Sequence, residues 1–527
     1  VAGCRKGGGI PPISGVKMNN KKNFFTFLAV MIVVIALLSI MFFVKPASGR
    51  VLQTNPVYTI QRAVNESGKA DTVLLDAGEY HESVTVRTDV TIASDFIFIG
   101  DTTVIHSTVI MPGTVFRDTT SCFIVIGARF NLVGVTIENG RASNGAGVFS
   151  DHAEVIIRNV RFIHCIADLW GGAIFSDESS LTVIGCTFQD NRSQLEAGGI
   201  YCTDGDMNLR SSRFTECSGN VGGVFLGWSN GTIADCSFEE CSSTDGLNPN
   251  DLFLVSGNYI VTRNVFSYNS SLTTSVLAED DGDHTIIFTE NTVRNNQVSE
   301  SVGSVYLHRC RGMIQRNMFR NNSGENGGSL VLDGCPDIRV RHNSFIQNRC
   351  YNESWGSAIS LLSNNTLVLD SNSIHGNFGK VIDTENLLIA TNNWWGSSSG
   401  PYPHGTGDTI SLDDNISYQP FLVNPADTLP MQSPKPRPVP YKTWNLLDPY
   451  PNPFNSEIKI TVAGRTFSDF MLGVYNNLGQ IVDSSAQGEY PFGFIIIYAP
   501  KSLSTGIYFV VAKSKNYKQI KKILYIK

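Results

Sequence analysis

The sequence predicts an all-β chain: a right-handed parallel β-helix, that is a solenoid, followed by a small Ig-like β-sandwich. Three observations predict it. Charged residues make up only 17% of the 527 while glycines number 48, a composition of strands and turns rather than of helices. An apolar or aromatic anchor returns every 24 to 29 residues through the middle of the chain. A proline-rich stretch then sets off a C-terminal module with its own strand pattern. The net charge of −7 leaves no basic footprint, so nucleic acid is not an expected partner.

The chain begins with a glycine-rich extension, residues 1–17, to which no role is assigned. Residues 18–49 have the pattern of an export signal. Lys21 and Lys22 give a basic start, and Phe24 to Val44 is an apolar run interrupted by Thr26 and Ser39. Ala47, Ser48 and Gly49 supply the small residues that signal peptidase prefers. The run is also long enough to span a bilayer, so an uncleaved membrane anchor is the rival reading, and the one way this chain would touch a membrane.

The anchors are Ile137, Phe162, Phe188, Phe214, Phe238, Phe266, Val293, Phe319, Phe345 and Ile374. Two residues before an anchor stands Cys186, Ser212, Cys236, Asn264, Asn291, Asn317, Asn343 or Asn372. Three residues after it stands Cys165, Asn191, Cys217, Cys241, Asn269, Asn296, Asn322, Asn348 or Asn377. Glycine-led runs such as Gly171-Gly172-Ala173-Ile174-Phe175 and Gly198-Gly199-Ile200-Tyr201 form a third recurring strand. No single repeat can bury its apolar face alone. Stacking the repeats at roughly 4.8 Å per rung buries ring on ring and completes each strand's hydrogen bonds. An asparagine at the same turn of each coil can bond its amide to the next, as a ladder. Cysteines in these columns read as small apolar fillers, with a Cys217–Cys241 bridge as the alternative.

Tyr58-Thr59-Ile60-Gln61-Arg62-Ala63-Val64, followed by Asp71 to Tyr80 with its Gly78-Glu79-Tyr80 turn, resembles the opening of pectate-lyase-like right-handed β-helix proteins. The resemblance implies a short amphipathic helix capping the first coil. Asn392-Asn393-Trp394-Trp395-Gly396, then Gly405-Thr406-Gly407-Asp408, is similar to the closing segment of many secreted β-helix proteins. There the Trp pair would cover the last coil, with sugar stacking as its alternative role. These features place the β-helix at residues 50–423.

Residues 424–443 form the linker, with Pro430, Pro434, Pro436, Pro438 and Pro440. In residues 444–527, alternation at Ile458, Ile460 and Val462 and apolar runs at 471–475, 494–498, 507–511 and 520–526 predict the sandwich. Tyr450-Pro451-Asn452-Pro453-Phe454-Asn455, Val474-Tyr475-Asn476-Asn477-Leu478-Gly479 and Leu503-Ser504-Thr505-Gly506-Ile507-Tyr508 occur in the order of the type A sorting domain of type IX secretion, which the module resembles. Ser456 departs from it where proline is commoner. The resemblance implies the type IX secretion machinery as partner. It also implies a protein secreted, or held at the cell surface on the outer membrane, in a bacterium that has one.

Chemistry is less legible. No catalytic residue is assigned. The hydrolase and lyase motifs of β-helix enzymes are not assembled, and the residues directly before the anchors, from Arg161 to Ser373, include no carboxylate. Asp190, Glu216 and Glu240 share one register on successive rungs. They read as a solvated acidic edge, a calcium site or a catalytic strip. Glu279-Asp280-Asp281-Gly282-Asp283 reads as a polar turn or a second calcium site, so calcium is the one cofactor considered. Trp170, Trp228, Tyr351 and Trp355 are the candidate glycan-stacking rings; gathered in one groove they favour sugar binding, dispersed they favour a stalk. The leading expectation is non-catalytic binding of a polysaccharide, surface glycan or other partner along the helix. The alternative is a divergent secreted polysaccharide lyase or glycoside hydrolase.

Overall fold

The structure is a computed structural model. It describes residues 51–428 and 444–527, other than 55–56, 70, 114–119, 272, 281–282, 364, 366, 385, 411–415, 447–448, 450–451, 477–479, 501–502 and 515–516. The extension, the export segment and most of the linker therefore lie outside the described residues. No helix among the described residues is long and apolar enough to cross a membrane.

Each coil lays down one strand on each of three parallel sheets. Face 1 has 13 strands, from Val51–Thr54 to Leu367–Asp370; face 2 has 12, from Gly78–His81 to Ser373–His375; face 3 has 12, from Val84–Val86 to Ile382–Thr384. The expected anchors are the inward residues of face 2 in unbroken register: Ile137 on Phe162, Phe162 on Phe188, and so on to Phe345 on Ile374. All are fully buried, and the column continues upstream through Ile110 to Tyr80. Face 2 is joined to face 3 by a segment that pairs only locally, in short sheets such as that from Arg141–Asn144 to Ser242–Ser243.

Corners between faces need a residue in the left-handed region, which Asn and Asp tolerate better than most. One corner column includes Asn139, His164, Asp190, Glu216, Glu240, Tyr268, Asn295 and Asn321, all with φ of 49 to 61°. The glycine pairs answer a different need, close backbone approach. A Cβ on Gly172 would lie 2.2 Å from the Gly198 carbonyl oxygen, and one on Gly199 would lie 2.5 Å from that of Gly223.

Both asparagine ladders form. Asn264, Asn291, Asn317, Asn343, Asn372 and Asn393 each accept, at Oδ1, the backbone N–H of the residue one coil earlier. Asn269, Asn296, Asn322, Asn348 and Asn377 do the same in the second column. That ladder ends on Asp408, whose carboxylate accepts from the backbone and side-chain amides of Asn377. The cysteines in these columns are free thiols buried in the core, and burial pushes Cys165, Cys186 and Cys236 up to about 12. Both ends are closed as expected. The helix Ile60–Glu66 buries Ile60, Ala63 and Val64, and Trp395 is fully buried at the last coils, which leaves it no surface for a sugar.

The C-terminal module is a five-stranded antiparallel sheet, Trp444–Leu446, Ile458–Tyr475, Ile481–Tyr498, Gly506–Ser514 and Tyr517–Tyr525. The expected strands at 458–462 and 471–475 are two ends of one 18-residue strand, whose pairing with 481–498 shifts register several times. One face buries Ile458, Ile460, Leu472, Val474, Val510 and Ile523 with Phe454 and Tyr525.

Candidate functional site

Face 3 carries its chemistry on the outside. In Val148–Asp151 and Ile174–Asp177 the first and third residues are buried in the core, so the second and fourth point outward. The second position forms a column in strand register, Phe149, Phe175, Tyr201, Phe225 and Phe253. The first four rings are stacked nearly parallel, with centroids 5.2, 5.5 and 4.6 Å apart, and Phe253 meets Phe225 edge-on. Ala197 and Val221 pack on Phe225 from the adjoining loops. Phe149, Tyr201 and Phe253 stay half-exposed.

Beside the rings runs a polar column. Asp151 and Asp177 are register partners on adjacent rungs. The next position is a left-handed corner, occupied by His152, Glu178, Asp204 and Trp228 in turn. His152 bridges Asp151 and Glu178, and these carboxylates hold its imidazole above its usual range. The carboxyl of Asp177 is raised, first by partial burial and then by Asp204, Glu178 and Asp151. The phenol of Tyr201 is pushed up to about 12, chiefly by burial.

Trp170 stands at one margin of this ring column. It lies 5.8 Å from Tyr201 and 6.2 Å from Phe175, near-parallel to both, and its indole N–H donates to Glu196 at 2.9 Å. Trp228 projects from the opposite margin, 57% exposed and tilted over Phe225 at 6.4 Å. Two of the four candidate rings thus border one ring column. Tyr351 and Trp355 do not join it; they lie several coils on, just after the strand Arg349–Cys350.

The acidic candidates lie elsewhere. Asp190, Glu216 and Glu240 occupy the corner after face 2, not the face 3 ring column. Asp190 is paired with Arg192 at 2.8 Å and His164 at 3.1 Å, while Glu216 and Glu240 are exposed. Glu279 stands in face 3 beside His308, Asp280 accepts from the backbone and ring of His284, and Asp283 is exposed. Asp281 lies outside the described residues. No group of three His, Cys, Asp or Glu side chains placed to hold a metal occurs among the described residues.

Sequence reasoning missed Phe149, Asp151, Asp177 and Glu178. The available signal was the near-identity of Val148-Phe149-Ser150-Asp151 and Ile174-Phe175-Ser176-Asp177, one coil apart.

Two family models match the chain. Residues 146–312 match the right handed beta helix region, and residues 449–527 match the secretion system C-terminal sorting domain. No curated protein matches. Among solved structures the chain is similar to the catalytic domain of a GH87 alpha-1,3-glucanase in complex with nigerose, at 10% identity and a TM-score of 0.33, over 71% of this chain and 70% of that one. It is also similar to the tailspike of Acinetobacter baumannii bacteriophage Fri1, a capsular polysaccharide depolymerase, at 10% identity and a TM-score of 0.24, over 91% and 78%. A third is the A-module of an Azotobacter vinelandii mannuronan C-5 epimerase, at 12% identity and a TM-score of 0.26, over 69% and 94%.

Proposed function

We propose that this exported protein, a right-handed β-helix carrying a type IX secretion sorting domain, binds a polysaccharide chain along the outer surface of face 3. The sorting domain gives a secreted or cell-surface protein; retention on the outer membrane is part of the proposal. The supporting observation is the ring column flanked by carboxylates. The stacked rings cover one another's faces and offer their edges, while Trp228, well exposed at the margin, offers a free face to the apolar side of a sugar ring, and carboxylates and Tyr201 accept from or donate to hydroxyls. A column repeating at each rung suits a linear ligand better than a compact one.

Trp170→Ala and Trp228→Ala remove the two rings bordering the column without opening the core. Each is expected to weaken binding to the best ligand of a glycan array by about tenfold, roughly 1.4 kcal/mol. An array on which the folded protein retains no glycan, or variants that bind like the parent, would remove the reading.

One observation favours hydrolysis as a second reading. Asp151 and Asp177 are register partners on neighbouring rungs, a backbone spacing of roughly 4.8 Å, and retaining glycosidases use two carboxyls roughly 5–5.5 Å apart. Asp177, held protonated to a higher pH than an ordinary aspartic acid, would be the acid and Asp151 the nucleophile. If so, the bound glycan is shortened on long incubation, and Asp177→Asn abolishes shortening while leaving binding within about threefold, under roughly 0.7 kcal/mol. Intact glycan after incubation with the parent leaves binding alone.

A further inference from the structure

The surface strip that leaves face 2 changes sign along the helix. On three successive coils its corner residue is Asp190, Glu216 or Glu240. On the next five coils, from Ser267 to Phe378, the four residues after each anchor contain no carboxylate at all. They contain Arg294, Arg320 and Arg349 instead, all exposed.

Arg294 and Arg320 are register partners on neighbouring strands of face 2. Like charges placed directly opposite across a ladder destabilise a sheet unless a counter-charge joins them. Neither arginine is paired with a carboxylate among the described residues, and neither is Arg349. Glu325 is two residues beyond the strip, and Asp408 is engaged by Asn377 and the Gly376 amide. Two of the guanidiniums rest on rings. Arg349 lies 4.4 Å over Phe378 and 6.0 Å from Tyr351, and Arg294 lies 6.0 Å over Tyr268. Stacking on a ring holds a guanidinium in place while leaving its N–H donors free for a planar oxyanion.

We infer that this strip is a second binding site, distinct from the face 3 ring column, for a glycan chain bearing oxyanion groups, either sulfate esters or carboxylates. The ligand charge supplies the counter-ion that the Arg294–Arg320 pair lacks, and the ring-backed Arg349 extends the site by one rung. The acidic coils at Asp190 to Glu240 bound it on one side, because they repel the same chain. The inference does not rest on the face 3 reading.

The test uses the full chain and three immobilised probes: heparin for sulfate esters, polygalacturonate for carboxylates and dextran as the neutral chain. Tighter retention on one or both polyanions than on dextran is expected, and the polyanion that binds more tightly identifies the oxyanion. About 1 M NaCl, where the Debye length falls to about 3 Å, should release the protein. The double substitution Arg294→Gln with Arg320→Gln should weaken polyanion binding by about tenfold or more, whereas Arg129→Gln, which removes an exposed arginine on face 1, should leave it unchanged. Because both arginines are exposed, the double variant should keep the parent's cooperative melt and lose only the rise in midpoint that the polyanion produces. Dextran retention that the double variant loses along with polyanion binding, or unaltered polyanion affinity in the double variant, overturns the inference.

Discussion

Phe214→Ala is expected to lower stability by about 3–5 kcal/mol, the usual loss for a buried phenylalanine. The ring of Phe214 is fully buried between those of Phe188 and Phe238, with centroids at 4.4 and 4.8 Å and planes within 7° of parallel. The bare backbone of Gly199 also packs on it, since a Cβ there would lie 2.8 Å from the ring. A cavity at this point cannot close by collapse. The rungs above and below are held at strand spacing by the ladders of three faces, so the gap keeps nearly its full volume, and the cost lies at the upper end. In a solenoid each coil touches only its neighbours, so the loss should split unfolding near the coils carrying Phe188 to Phe238 and leave distant coils protected. Hydrogen exchange would show amides of these coils opening first. A denaturation midpoint within error of the parent would mean that the ring stack contributes little and that the backbone ladders carry the fold.

The parts of the molecule legible in sequence are those tied to a constant spacing. On face 2 the anchor, the residue two before it and the residue three after it are separated by short, nearly invariant strands and corners, so Phe188, Asn291 and Asn322 fall into columns on inspection. Face 3 begins 8 to 14 residues after the anchor, because the connecting loops differ in length. A comparison aligned on the anchors therefore scatters Phe149, Phe175, Tyr201 and Phe225, which the structure brings into one stack. Asp190, Glu216 and Glu240 show the converse limit. Their shared register was readable, but the left-handed corner that turns them away from the face 3 rings was not. Trp228 owes its exposure to the same kind of corner, and nothing in its immediate sequence says so. In the C-terminal module the alternation of Ile458, Ile460 and Val462 fixed the buried face, while nothing in it marked the continuity of the strand through residue 475.

Asn317→Leu should cost about 2–5 kcal/mol although leucine is more apolar and close to asparagine in size. The Asn317 side chain is wholly buried and makes four hydrogen bonds. Its Oδ1 accepts from the backbone N–H of Asn291 at 2.8 Å and from the Asn291 amide at 3.1 Å; its Nδ2 donates to the Phe288 carbonyl at 2.8 Å and to Asn343 Oδ1 at 3.0 Å. Leucine leaves the Asn291 backbone N–H without this acceptor and the Phe288 carbonyl without this donor, inside a core that water does not reach. Each such group costs roughly 1–3 kcal/mol, more than the added apolar contact returns. Asn317→Cys should cost less than leucine, because the earlier coils already place Cys165, Cys186 and Cys217 in these columns, and the Cys217 thiol lies 4.0 Å from Asn191 Nδ2 as a weak acceptor. The order of melting midpoints should therefore be parent, then cysteine, then leucine. A leucine variant as stable as the parent would show that hydrophobic burial, rather than the amide ladder, sets the stability of these coils.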